Sequence, residues 1–309
     1  MITQITDNLY ALCAPTTYSR QGSYNSFLIR GERDLLIDAG NSQGRTKTLA
    51  QELAELKVDP DRLDFFSTHM HVDHVGSAAA LAGKGSVLYV HEKAEIYRDV
   101  STPLDGYRLC GLPKPVSDKI CLGSLSSPLP DNMEVCFVRD GCVLNYGGSE
   151  LRCIHSPGHA EEHCCLYDVG RKILFSGDAI IKETVSYVPD YCTESSNIVE
   201  YMRCLDRLEA LDVSLLLPGH GEIEDHYAAV RTIKRLLDAD LDRQLSRLSE
   251  KPQTVTDILS SRGWDLFSMD AGTVCTFYFR IYALLNHLVK NGRAIRHISV
   301  DGVQSFSLL

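Results

Sequence analysis

Three histidines and an aspartate fall within six residues of this chain, in the run Thr68-His69-Met70-His71-Val72-Asp73-His74. Histidine is scarce, at 11 of 309 residues, so an H-x-H-x-D-H run is on the order of one in a thousand by chance. Neutral imidazole and carboxylate are side chains that hold zinc and similar divalent metals. His69 and His71 alternate, so an extended turn points both rings to the same side. Asp73 and His74 lie past the turn, within reach of a second position. One run could therefore serve two adjacent metals. Further ligands are on offer in Ser156-Pro157-Gly158-His159, Ser176-Gly177-Asp178 and Pro218-Gly219-His220-Gly221. Each sits at the end of an apolar strand pattern beside glycine, which lets the backbone turn sharply at a crowded centre. Alone, His159 or His220 reads as a core residue and Asp178 as a turn residue; their company changes that reading.

The elements that must deliver these residues are legible from periodicity. Asn8 to Cys13, Ser23 to Ile29 and Asp34 to Ile37 read as a meander of antiparallel strands. Arg45 to Leu56 carries leucines at helical spacing, Leu63 to Ser67 is a short buried strand, Gly76 to Ala82 a helix and Ser86 to His91 a strand. Residues 100 to 131 hold five prolines and read as a long irregular excursion. Strands return at Glu134 to Arg139, Glu150 to His155, Cys164 to Tyr167, Lys172 to Ser176 and Ser214 to Leu217, with a helix at Ile198 to Ala210 capped by Asn197. A long charged helix, His226 to Ser249, opens a different texture. Helices at Thr256 to Ser261 and Thr273 to Lys290 follow, then a hairpin around Asp301-Gly302. The chain therefore divides into residues 1–225 and a small C-terminal helical, winged-helix-like appendage at 226–309.

The ligand runs, preceded by Asp38 in Leu35-Leu36-Ile37-Asp38-Ala39-Gly40, stand in the order found in the metallo-β-lactamase-fold hydrolase superfamily. The chain resembles that superfamily over roughly residues 1 to 225, and within it the glyoxalase II and thioesterase branch. The resemblance implies an α+β fold, an αββα sandwich with its site at the sheet edges. It implies that His69, His71 and His159 hold a first metal, that Asp73, His74 and His220 hold a second, and that Asp178 bridges them. Asp38 would order the histidine loop rather than bind metal. Zinc suits this donor set; iron and manganese tolerate it too. The implied reaction is cleavage of a thioester or ester by a metal-bound hydroxide, with Asp73 also catalytic, orienting the hydroxide or taking its proton.

Composition bounds the alternatives. An apolar share of 44% and a charged share of 23% describe a globular chain. A net charge of -10 disfavours nucleic acid as a partner, which counts against a ribonuclease of the same superfamily. A regulatory protein acting through contacts, with a homodimer face on Thr273 to Lys290, is the other alternative; a core role for that helix is the simpler reading. No apolar run reaches bilayer length, and Met1 to Tyr10 lacks a leader pattern. A cytoplasmic location, no membrane partner and no β-lactamase role follow as expectations. A flavodiiron role would need a carboxylate at His71. The eleven scattered cysteines read as reduced thiols. The expected partner is a small acyl substrate, with Leu104, Tyr107, Leu109, Tyr187 and Tyr191 as candidate pocket residues. His163 reads either as an orienting neighbour of the ligands or as a structural residue, and Glu161 and Glu162 as acids that face solvent or shape the mouth.

Overall fold

A computed structural model describes residues 1–15, 23–41, 45–101, 111–190, 197–222 and 225–309. The expected pocket residues Leu104, Tyr107, Leu109 and Tyr191 lie outside it, as do Cys110 and Cys192.

The meander forms as the alternation predicts. Strands β1 (Ile2–Gln4), β2 (Leu9–Pro15), β3 (Ser23–Ile29) and β4 (Asp34–Ile37) pair antiparallel in sequence order. Helix α1 (Arg45–Glu55) then crosses to β5 (Leu63–Phe66), which pairs parallel to β4. The helix expected at Gly76 to Ala82 is the single turn α3 (Ala78–Leu81), and a separate turn, α2 (Val72–Val75), precedes it where none was expected. That turn matters, because α2 carries Asp73 and His74. Strands β6 (Val87–His91) and β7 (Glu134–Val138) complete a seven-stranded sheet. Between them the proline-rich excursion contains a short helix, α4 (Lys114–Ser117), started by prolines that fit a first helical turn.

The second sheet has order β12-β11-β10-β9-β8, from β8 (Val143–Tyr146), β9 (Ser149–His155), β10 (Cys164–Asp168), β11 (Ile173–Gly177) and β12 (Leu215–Pro218). Helix α5 (Asn197–Glu209) makes the crossover that lets β12 run parallel to β11. The edge strands β1 and β8 escaped the sequence reading, being three and four residues long.

Both faces of these sheets are buried, so alternate residues serve different cores. Leu35, Ile37 and Phe66 point inward to meet Leu151, Leu166 and Phe175 of the second sheet. Leu36 and Phe65 point outward onto Leu49 and Leu53 of α1. Asp64 is buried on β5, where Arg33 grips both carboxylate oxygens at 2.6 and 2.7 Å and the Tyr146 hydroxyl donates from β8 at 2.7 Å. That contact ties one sheet to the other by a charge-assisted bond.

The C-terminal residues form α6 (His226–Leu245), α7 (Val255–Ser260), α8 (Ala271–Lys290) and the hairpin β13 (Ala294–Ile298) with β14 (Gln304–Leu308). Asp225, Thr254 and Asp270 cap the three helices through side-chain oxygens. One buried cluster joins Cys165, Leu174 and Ile180 of the second sheet's outer side to Tyr201 and Leu205 of α5, Leu237 of α6 and Phe279 and Leu285 of α8. This core crosses residue 225 without a break, and the α–β–β–α layering results. Phe279, Tyr282, Leu284 and Leu285 are spent inside the chain, while Phe277 is exposed. Because Phe279 is fully buried in the shared cluster, Phe279→Ala should cost about 3–5 kcal/mol. Urea unfolding followed by tyrosine fluorescence and by far-ultraviolet dichroism should show one shared, earlier transition. Two separated transitions would mean that the C-terminal helices fold apart from the sheets.

Candidate metal centre

The seven expected site residues converge from four strand ends. β5 leads into Ser67 to His71 and then α2, the β9–β10 turn brings His159, and Asp178 and His220 follow β11 and β12 directly. The Nε2 atoms of His69 and His159 and the Nδ1 of His71 lie 2.9–3.1 Å from one another. Three ligands on a metal with ordinary tetrahedral zinc bonds would be about 3.3 Å apart. Beside them, His220 Nε2 is 3.4 Å from Asp73 Oδ2 and 3.5 Å from Asp178 Oδ1, and His74 Nε2 is 3.3 Å from Asp178 Oδ1. The other oxygen of Asp178, Oδ2, faces His159 Nε2 at 3.6 Å. Thus Asp178 presents one oxygen to each group. Three triads could each hold a divalent metal: His69, His71, His159; His69, His74, Asp178; and Asp73, His74, His220.

Two observations show that these side chains fit a metal. First, His74 Nε2 and Asp178 Oδ1 are buried without a hydrogen-bond partner, an expensive state for polar atoms unless something else satisfies them. Second, outside acceptors fix the tautomers. His74 Nδ1 donates to Asp38 Oδ2 at 2.8 Å, His159 Nδ1 to the Tyr187 carbonyl at 2.8 Å and His220 Nδ1 to the Ser23 carbonyl at 2.9 Å. The Thr68 hydroxyl gives its proton to Asp38, so it accepts from His69 Nδ1 at 3.1 Å. In its neutral form each of these rings keeps a lone pair on the inward Nε2, the usual arrangement for a metal-binding imidazole.

Charge follows the same division. Burial pushes His69 well below the ordinary imidazole value, with its histidine neighbours adding to the effect. Burial and then His159 push His71 down to about 3, and burial lowers His159. The first group is therefore three neutral imidazoles. For His74 and His220 burial works the other way from the outcome. The carboxylates of Asp38, Asp178 and Asp73 raise His74 well above its usual range, and Asp178 and Asp73 raise His220. Asp178 and Asp73 are held low, against burial, by His220 and His74. Metal uptake at this second group must release protons.

The supporting residues explain the local backbone. Asp38 has a φ of +55°, an uncommon conformation that aspartate tolerates, and it accepts from Thr68 N at 2.8 Å. It orders the histidine loop, as expected of it. A Cβ on Gly219 would stand 2.6 Å from the His74 ring and 2.8 Å from Asp178 Oδ1, so only glycine fits there. His163 is fully buried, and its Nε2 accepts from Asp178 N at 3.1 Å while Nδ1 faces Ser156 Oγ at 2.7 Å. Its orienting role thus falls on the backbone of a site residue. The two acids part ways: Glu161 is exposed, whereas Glu162 is buried and accepts from Met70 N at 3.1 Å and from the Tyr97 hydroxyl at 3.3 Å. It braces the peptide between His69 and His71.

Other histidines stay apart. His155 stacks on His91 at 4.0 Å, and His226 bonds the Leu208 carbonyl. The described cysteines are free thiols, and burial pushes Cys165 and Cys275 up to about 12, far from a reactive thiolate. Sequence reasoning passed over the carbonyls of Ser23 and Tyr187, since a backbone acceptor has no residue type to reveal it. It also passed over Ser186, whose hydroxyl lies 2.9 Å from His159 Nδ1.

Glu162 yields a sign-definite test. Burial raises its carboxyl to about 6, so its contribution to stability is fully present below the unfolded value of about 4.3 and is lost as pH rises through 6. The full loss is about 2 kcal/mol. Glu162→Gln removes the titration and keeps an acceptor for Met70. Relative to the parent, in chelator throughout, the variant should gain about 2 kcal/mol between pH 4 and 7.5 in urea melts. A pH-independent difference would show that Glu162 is not held neutral by burial.

Comparison with known proteins agrees with this geometry. The family model described as the metallo-beta-lactamase superfamily matches residues 19–220. A probable metallo-hydrolase of Bacillus subtilis is 23% identical over 285 residues, covering 82% of this chain and 84% of its own length. An acyl-coenzyme A thioesterase of Homo sapiens is 29% identical over 226 residues, covering 66% of this chain and 75% of its own. Among solved structures, a metallo-beta-lactamase family protein from Thermus thermophilus superposes with a TM-score of 0.80 at 23% identity, over 99% of this chain and all of its own. That likeness concerns the fold. No helix among the described residues is long and apolar enough to cross a membrane.

Proposed function

We propose that this chain, which belongs to the metallo-beta-lactamase superfamily, is a binuclear metal-dependent hydrolase of acyl thioesters. The observation that carries the proposal is Asp178, which turns one oxygen to each of two adjacent ligand groups. His69, His71 and His159 would hold one ion, Asp73, His74 and His220 the other, with Asp178 between them. Zinc suits the donor set, and iron or manganese would fit as well. When bound, the ions supply Lewis acidity at the substrate carbonyl and bring the pKa of water toward neutrality.

This chain's own residues do the rest. The Asp73 side chain is 27% exposed against 9% for Asp178, so Asp73 is the carboxylate that meets incoming water and substrate. Held ionised by His74 and His220, it accepts a hydrogen bond from the attacking water and aims its oxygen. That oxygen bonds to the thioester carbonyl carbon as Asp73 takes a proton from the water, the carbon–sulfur bond breaks, and the proton passes to the departing sulfur, leaving a carboxylic acid and a thiol. Support for a thioester comes from relatives whose names state that activity, the human acyl-coenzyme A thioesterase and an atrochrysone carboxyl ACP thioesterase of Aspergillus fumigatus, 23% identical over 243 residues. The net charge of -10 argues against an RNA substrate.

Protein loaded with zinc, manganese or iron is expected to hydrolyse a panel of acyl-coenzyme A esters and to stop on chelation. Asp178→Ala should lower turnover at least about 100-fold and reduce the bound metal from two equivalents. Two metals with full activity in that variant would refute the bridging role. Cleavage of single-stranded RNA with silence on thioesters would replace the substrate assignment.

A further inference from the structure

The residue that fixes the His159 ring is not at the metal centre. His159 Nδ1 donates to the Tyr187 carbonyl, with Ser186 Oγ also in reach. Both acceptors lie on the segment 185–190, which has no strand or helix of its own. A loose segment cannot hold a ring, since freezing each free residue costs about 1–2 kcal/mol of conformational entropy. Something outside must hold the segment.

Asn197 of α5 donates to the Pro189 carbonyl, and helix α8 supplies the rest of that hold. The Tyr187 hydroxyl donates to the Cys275 carbonyl at 2.7 Å. The Asp190 backbone N–H reaches the Phe279 carbonyl at 3.4 Å, and the Asn286 side-chain amide donates to Asp190 Oδ2 at 2.7 Å. Positions 275, 279 and 286 fall on one stripe of the helix. Arg280 adds a long contact to the Val185 carbonyl at 3.5 Å. Ser186, Asp190 and Asn286 are all buried, so these bonds do not compete with bulk water. Packing alone does not account for them: a helix that served only to cover the sheet would need apolar residues where Asn286 stands.

We infer that α8, through the segment 185–190, is the positioning element for His159, with Tyr187 and Asn286 as its positioning residues. The inference rests on the reading of His159 as a metal ligand. It assigns the C-terminal helix a duty at the metal centre itself: setting the tautomer and the direction of one ring. The Tyr187 ring stands edge-on to the His159 ring at 6.1 Å, so the same residue braces the imidazole from its side chain and from its carbonyl.

The test reads the metal rather than turnover. Full-length protein is loaded with cobalt(II), whose visible absorption reports ligand geometry, and its affinity is measured against a chromophoric chelator. Tyr187→Phe and the nearly isosteric Asn286→Leu should each weaken cobalt binding by about 10- to 100-fold, the usual range for partners that orient metal ligands, and should alter the spectrum. Leu288→Ala is the control. Leu288 is fully buried on α8, and its loss should lower the melting temperature of the metal-free chain while leaving affinity and spectrum alone. Unchanged affinity and spectrum in both variants would overturn the inference, as would an equal loss in Leu288→Ala. A parent chain that takes up no cobalt overturns it together with the metal reading. Equal uptake by the parent and both variants removes only the brace.

Discussion

Three buried imidazole nitrogens within 2.9–3.1 Å of one another form the constraint on which the rest of this structure depends. Lone pairs so placed repel, and the low-dielectric interior makes the repulsion costlier than in water. Such an arrangement persists only if the surrounding structure over-determines it and a positive charge belongs among the atoms. The uncommon φ of Asp38 serves that arrangement through Thr68, and the glycine at 219 makes room for His74 and Asp178 beside it. The outward bonds of His69 and His159, whose Nδ1 atoms face the Thr68 hydroxyl and the Tyr187 carbonyl, serve it as well. Four of the five rings, His69, His74, His159 and His220, are held from behind through Nδ1.

How much of this was legible follows from where the information lies. The candidate ligands stood out because their chemistry is carried by residue type: histidine is rare, and four separate motifs contained it or aspartate beside glycine. The layers were readable because both sheets bury two faces, so alternation and continuous apolar runs mark the strands. The reading was poorer wherever the determinant is a backbone atom or a distant partner. Glu162 could not be told from Glu161 by sequence, since both are acids in one turn; burial and the approach of Met70 N and the Tyr97 hydroxyl separate them. The turn α2, which begins after His71 and carries Asp73 and His74, went unread ahead of the helix expected at Gly76 to Ala82. Periodicity counts apolar residues, and it cannot see a backbone bent to aim ligands.

The boundary near residue 225 shows the same limit from another side. A change of texture there, from strands to charged helices, reads naturally as the start of an appendage. Yet the residues that α6 and α8 bury belong to one core with β10, β11 and α5. Texture reports how an element is built, and burial reports what it leans on. The two need not change at one place.

This shared core bears on how the superfamily's site can be adjusted in one chain. A ligand on a strand end is fixed by the sheet ladder and changes little. His159 differs, for it sits in a turn and takes its orientation from a segment that the C-terminal helix holds. Substitutions along the stripe of α8 that contains Asn286 can therefore move one imidazole without touching any ligand or any strand. Asp178 and His220 follow strands directly, the His69 to His74 run follows β5 through a loop and α2, and the helix that steers His159 leaves one direction in which the candidate site can be tuned.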